Sequence, residues 1–308
     1  MANNSSLISL NSSIGTGIDA VIFVQVLVSI LLCINFIMIK TFSLKDTFYT
    51  NMRYMLFANT ITSDCINLIL TNLLLILTYF KIAISKFLCL FLVIISCLYN
   101  FVTPVTLTAM TLERFVAICL PLRHAELCTT YRALQSVLII HCISFIPCFV
   151  FLLFVFFATF ESFKQTTVCT AEMFILHSWQ GDLRSALSQF YFLIMFIIIA
   201  FSYIQIMKVA KVASGENKKS TQKGLRTVLL HGFQLLLCLI LLLCPFVEAA
   251  VLRIDLYLYK SLRYLNYIIF NLVPRCLNPL IYGLRDEAFL LALKQFMFCN
   301  QFNNKVKW

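Results

Sequence analysis

Seven stretches of this chain are apolar over lengths that only a membrane or a large buried core accommodates: residues 20–39, 54–80, 87–112, 133–160, 186–207, 227–252 and 264–284. A helix rises about 1.5 Å per residue, so about 20 residues cross a hydrocarbon core roughly 30 Å thick. Seven such runs take up more than half of the 308 residues. Composition agrees: 61% of the residues are apolar and 12% charged. A soluble domain is nearer about half apolar and about a quarter charged. The excess apolar surface calls for lipid rather than for a larger core. The expectation is an all-α membrane protein, a seven-transmembrane helix bundle whose first partner is the lipid bilayer.

The net charge of +11 sits between the apolar runs. It therefore reads as topology, and no nucleic-acid partner is expected. No Lys or Arg precedes Lys40. Of the 24 Lys and Arg, 16 fall in the segments that are inner if the N-terminus is outside, and 7 in the outer ones. The remaining one is Arg275, inside the last stretch. Asn3, Asn4 and Asn11 each open an Asn-x-Ser/Thr sequon, which is useful only outside the cytosol. The reading is an extracellular glycosylated tail over 1–19, a bundle over 20–284, and a cytoplasmic amphipathic helix and tail over 285–308. The first stretch would serve as an uncleaved signal.

Enzyme chemistry finds no foothold. There is no Gly-rich phosphate loop, nucleophile string or metal-spaced His pair, and His124, His141, His177 and His231 are scattered. No metal or cofactor is expected. Cys33, Cys65, Cys97, Cys142, Cys148, Cys238, Cys244 and Cys276 lie inside apolar runs, where Cys is a small apolar filler. A transporter would show repeated halves and helices broken by Gly or Pro, and a channel a pore loop or charge ring; neither is visible.

Polar residues inside the runs keep helical register. Thr60, Asp64, Asn67 and Thr71 do so in the second stretch. Ser96, Asn100, Thr103, Met110 and Arg114 do so from the third stretch onward. The sixth carries Thr227, His231, Gln234, Cys238, Pro245 and Glu248, and the seventh Asn271, Arg275, Asn278 and Tyr282. Spacings of three and four put each set on one helix face, which should point into the bundle.

Two strings are specific. MTLERFVAICLPLRH at 110–124 resembles the end of the third helix of class A (rhodopsin-like) G-protein-coupled receptors, and most closely the MAYDRYVAICNPLRY string of odorant receptors. PRCLNPLIYGLR at 274–285 resembles their PxLNPxIYxxR string, and KGLRTVLLH at 223–231 is a weaker echo of KAFSTCxSH. Asn35 and Asp64 fall where that family has polar anchors in its first two helices. The fish-type odorant receptors look nearest. The departures are Glu113 for Asp, Phe115 for Tyr, His141 for Trp, and a single second-loop cysteine, Cys169.

The resemblance implies a receptor mechanism. A small-molecule odorant enters the outer half of the bundle, the sixth helix swings outward, and a heterotrimeric G protein, of the stimulatory kind, raises cyclic AMP. Glu113 and Arg114 would pair at rest; Tyr203 and Tyr282 would capture the released Arg114; Asn278 and Pro279 belong to the same switch; Pro245 is its pivot. Cys89 and Cys169 would form the outer disulfide. Cys299 is a candidate palmitoylation site. The location implied is the plasma membrane, in sensory cilia. A peptide or lipid receptor of the same class is the runner-up.

Arg275 requires a partner at mid-membrane, where an unpaired charge costs about 2.5–3.5 kcal/mol or more. Asp64 stands at similar depth on a helix that neighbours it in the implied fold, so the two are expected to pair. Many class A receptors hold a sodium ion at that aspartate; Arg275 would take its place here. On the ligand side, depth and facing single out Ser96, Cys97, Asn100, Phe101, Glu248, Tyr264 and Asn271. The third stretch has Ser96 where amine receptors carry an acid, which disfavours a biogenic-amine receptor. Glu248 is open to a cationic ligand, to Arg253 or to Arg263.

Overall fold

The computed structural model describes residues 2–158, 166–174, 177–213, 254–283 and 287–298, with residues 232, 233, 236, 237, 240, 243, 244, 247, 248, 250 and 251 of the sixth stretch. Five described helices are long and apolar enough to cross a membrane: Ile18–Phe42, Met52–Tyr79, Lys86–Cys119, Thr130–Leu153 and Trp179–Val209. The seventh stretch is helical without interruption up to Gly283, as Leu256–Asn266, a π-helical segment Tyr267–Leu272, and Val273–Gly283. The chain is thus a helical, multi-pass membrane bundle. Its outer surface confirms the solvent: Ile22, Val26, Leu138, Phe190, Phe196 and Phe201 all face outward unpaired with core. Apolar cover this extensive is stable only against lipid.

The third helix is the hub. It packs on the second, the fourth (Thr130–Ala158) and the fifth (Ser178–Ala213), and is the most buried of the five described spans. Its core residues Phe101, Val102, Leu107 and Met110 join Phe57, Ile61 and Cys65 of the second helix. The first helix packs on the second and on the seventh through Val24, Val28, Leu31, Leu68 and Leu272.

Helix ends follow local chemistry rather than the apolar limits read from sequence. Asn51 caps the second helix, its side chain accepting from the Arg53 amide at 3.1 Å. Ser85 caps the third, accepting from the Leu88 amide at 3.3 Å. The third helix continues past residue 112 to Cys119, because its stop is not the membrane edge but Pro121, which holds Leu120 out of helical geometry (φ −132°, ψ 55°). The fifth helix starts at Ser178, not 186, so Arg184 lies within it and not in an outer loop. At the other end, helix extends back from the first span to Ala2, making the tail helical in backbone.

Outside the helices, Ala83–Ser85 pairs antiparallel with Thr166–Val168, Ile84 opposite Thr167. The helix Glu287–Phe298 packs against the first helix. Phe289 is its anchor, with its ring 5.5 Å from both Phe48 and Phe57.

Candidate functional site

The second, third and seventh helices turn their polar faces toward one another and meet around Arg275. Asp64 is fully buried and Arg275 4% exposed, so neither charge reaches lipid. Arg275 Nε lies 3.4 Å from Asp64 Oδ1. Its other nitrogens reach the Asn271 carbonyl oxygen, from Nη1 at 2.6 Å, and Asn100 Oδ1, from Nη2 at 3.4 Å. Asp64 also accepts from the Thr103 hydroxyl at 2.9 Å and from the Asn278 amide. Asn67 Nδ2 donates to Asn100 Oδ1 at 2.8 Å. Three helices thereby share one charge pair and its hydrogen bonds. Such a pair contributes little net stability compared with apolar packing, but losing either member alone is costly.

The chemistry of this donor set leaves no place for a sodium ion at Asp64. A guanidinium already provides the positive charge, and both carboxylate oxygens accept from other groups.

Above the pair, the seventh helix opens into the π segment Tyr267–Leu272, which contains Asn271 and ends two residues before Pro274. The Tyr267 hydroxyl lies 3.4 Å from that of Thr71 on the second helix. Asn266, the residue preceding the segment, donates to Glu248 Oε1 at 2.9 Å. Single π turns inside α-helices are rare and gather at functional sites.

Toward the C-terminal end of the third helix, Arg114 Nε lies 3.3 Å from Glu113 Oε2. The other oxygen, Oε1, is 3.5 Å from His124 Nε2. His124 comes from the short helix Pro121–Leu127, so Glu113 touches a charged or titratable group on each side. Its negative charge is felt further on: burial first, and Glu113 second, push the Cys128 thiol up. Tyr203 is half-buried on the fifth helix, and its hydroxyl makes no hydrogen bond to a described residue. Asn278 is engaged with Asp64, and Pro279 is buried within Val273–Gly283. The Tyr282 side chain, Pro245, Arg253 and Cys299 lie outside the described residues.

The seven ligand-side residues take different places. Asn100 and Asn271 belong to the Arg275 network. Phe101 is core, its ring 5.4 Å from that of Tyr191. Ser96 is buried, and the Cys97 thiol meets that of Cys148 on the fourth helix. Tyr264 packs on the cluster of Val24, Val28 and Leu272. Glu248 faces Asn266. At the start of the third helix, Cys89 forms a disulfide with Cys169, Cα atoms 5.5 Å apart, and Thr78 donates to the Cys169 carbonyl at 3.0 Å. Asn3, Asn4 and Asn11 lie on the helical tail.

Sequence reasoning passed over His124, although its only signal was visible: His ends the string where the odorant-receptor version has Tyr. It also passed over Gln25 and Asn72, whose amides pair reciprocally at 2.6 and 2.9 Å and tie the first helix to the second.

The chain matches the family model described as 7 transmembrane receptor (rhodopsin family) over residues 22–282. It is 40% identical over 277 residues to Odorant receptor 131-2 of Danio rerio, an overlap covering 90% of this chain and 85% of that protein. It is also similar to Galanin receptor 2a of Danio rerio, at 25% identity over 217 residues, 65% of this chain and 55% of that one. A family match across the whole bundle, with a relative of that identity along nine-tenths of the sequence, means that the chain belongs to the seven-transmembrane receptors of the rhodopsin family, on their fish odorant-receptor branch.

Proposed function

We propose that this receptor binds a small extracellular chemical stimulus and activates a heterotrimeric G protein of the stimulatory kind, raising cyclic AMP. The observation that carries the reading is the 40% identity to an odorant receptor along 90% of the chain. The galanin receptor, at 25% over a shorter overlap, supports the peptide alternative less well. In this reading the bundle has seven spans, with the glycosylated tail outside, the Glu287–Phe298 helix along the inner leaflet, and the protein in the plasma membrane of sensory cilia.

The mechanism uses two polar sites in series. The stimulus acts on the outer half, near Glu248, Asn266 and the π segment. The Arg275–Asp64 network passes the change to the inner half of the seventh helix through Asn278, which shares Asp64. At the inner end, Arg114 leaves Glu113 and turns to the partner protein, with Tyr203 and Tyr282 as its new acceptors. The proximity of Arg114 to Glu113, 3.3 Å, supports the resting half of this scheme.

The test is cyclic AMP in cells expressing the receptor with its G protein, against Arg114→Ala at equal surface level. A stimulus response that vanishes in the variant supports the reading. A response that survives unchanged contradicts it.

A further inference from the structure

Glu248 is a carboxylate one turn below the outer end of the sixth stretch. It is half-buried, and its hydrogen-bond partner, Asn266, is 8% exposed, so the contact lies between helices rather than against lipid. That partner is a neutral amide. Among the described residues no Lys or Arg reaches Glu248. Arg263, the described cation closest to Asn266 in sequence, points elsewhere: its Nη1 donates to the Tyr259 hydroxyl at 2.7 Å, and its guanidinium stands 5.9 Å from that ring. The contrast with Asp64 is plain. The deep carboxylate has a cation and two donors, and the outer one has, among the described residues, a single amide.

The contact also sits at a mechanical junction. Asn266 directly precedes the π segment Tyr267–Leu272, and Asn271 within that segment gives its carbonyl to Arg275. A group that drew Glu248 away from Asn266 would free the top of a helix whose irregular turn ends on the buried charge pair.

We propose that Glu248 is the ligand anchor for a positively charged group, so that the stimulus class is a protonated small amine. The inference rests on the receptor reading above and names the ligand chemistry of its outer site. The ammonium would take the carboxylate in a charge-assisted hydrogen bond and displace the weaker bond from Asn266. The recognising acid lies on the sixth helix, not at Ser96 on the third, so the pose differs from one anchored on the third helix.

The test uses n-alkyl primary amines and the matching n-alkanols as probes. Their effect on the melting temperature of the purified receptor is measured, which needs no G protein and so separates this inference from the signalling reading. Amines should stabilise the receptor, with Glu248→Gln weakening their apparent affinity about tenfold or more and Glu248→Asp keeping part of it. Any alkanol shift should be the same in receptor and Glu248→Gln, which also shows that the variant is folded. Amines that act equally on both proteins, or that stabilise neither, overturn the proposal.

Discussion

Replacing Arg275 by Met tests the buried pair. The methionine keeps most of the length and loses the charge. Asp64 would then retain the Thr103 hydroxyl and the Asn278 amide but no cation, while fully buried. Removing one member of a buried ion pair costs about 3–5 kcal/mol. Arg275 also donates to the Asn271 carbonyl and to Asn100, contacts within that same loss. Asp64→Asn should cost a similar amount by stranding the guanidinium. The double variant Asp64→Asn/Arg275→Met removes both charges and should lie within about 1–2 kcal/mol of the native protein, since apolar replacement of buried pairs is often neutral or better. The assay is thermal unfolding of detergent-purified receptor, where each single should lower the midpoint on the order of 10 °C. Surface level by an N-terminal tag gives a second readout, in which the swap Asp64→Arg with Arg275→Asp should partly rescue either reversal. Strict additivity of the two singles, or a neutral Arg275→Met, would refute the coupling.

Three further outcomes follow from particular contacts. Cys89→Ser or Cys169→Ser opens a loop closed across a sequence separation of 80 and should cost about 4–5 kcal/mol, read as lost surface expression. His124→Phe removes the second neighbour of Glu113; because the His124 side chain is 38% exposed, the effect should stay below about 1 kcal/mol and appear as raised basal signalling, with Tyr in place of His restoring the basal level. Replacing sodium by an organic cation in the medium should leave the stimulus affinity of the native receptor unchanged, whereas a several-fold shift would put an ion beside Asp64 after all.

The bundle was largely legible because membrane solvent imposes one simple rule. Runs such as 20–39 and 87–112 are long and apolar, and the structure has helices there. The spacing of four and three between Thr60, Asp64 and Asn67 put them on one face, and all three are fully buried. Helix ends were less legible, since hydropathy marks where lipid ends and not where hydrogen bonding ends. The third helix runs on to Cys119 until Pro121 stops it, and the fifth takes in Arg184 because a long cationic side chain near a helix end can stay wet. The strand pair beside the disulfide and the π segment depend on contacts between distant parts of the chain, and no local period announces either. Among site residues, polar register brought Asn100, Asn271 and Arg275 to notice, but depth alone could not separate groups spent on one another from groups left for a ligand. Glu248 and Asn266 are 18 residues apart across a turn, and only the fold brings them together.

The most direct test of the central claim is stimulus-evoked cyclic AMP in cells expressing the tagged receptor with a stimulatory G protein, beside Arg114→Ala at matched surface level. The account predicts a dose-dependent rise that the variant abolishes. A surface-expressed receptor whose response is the same with and without Arg114 would contradict it.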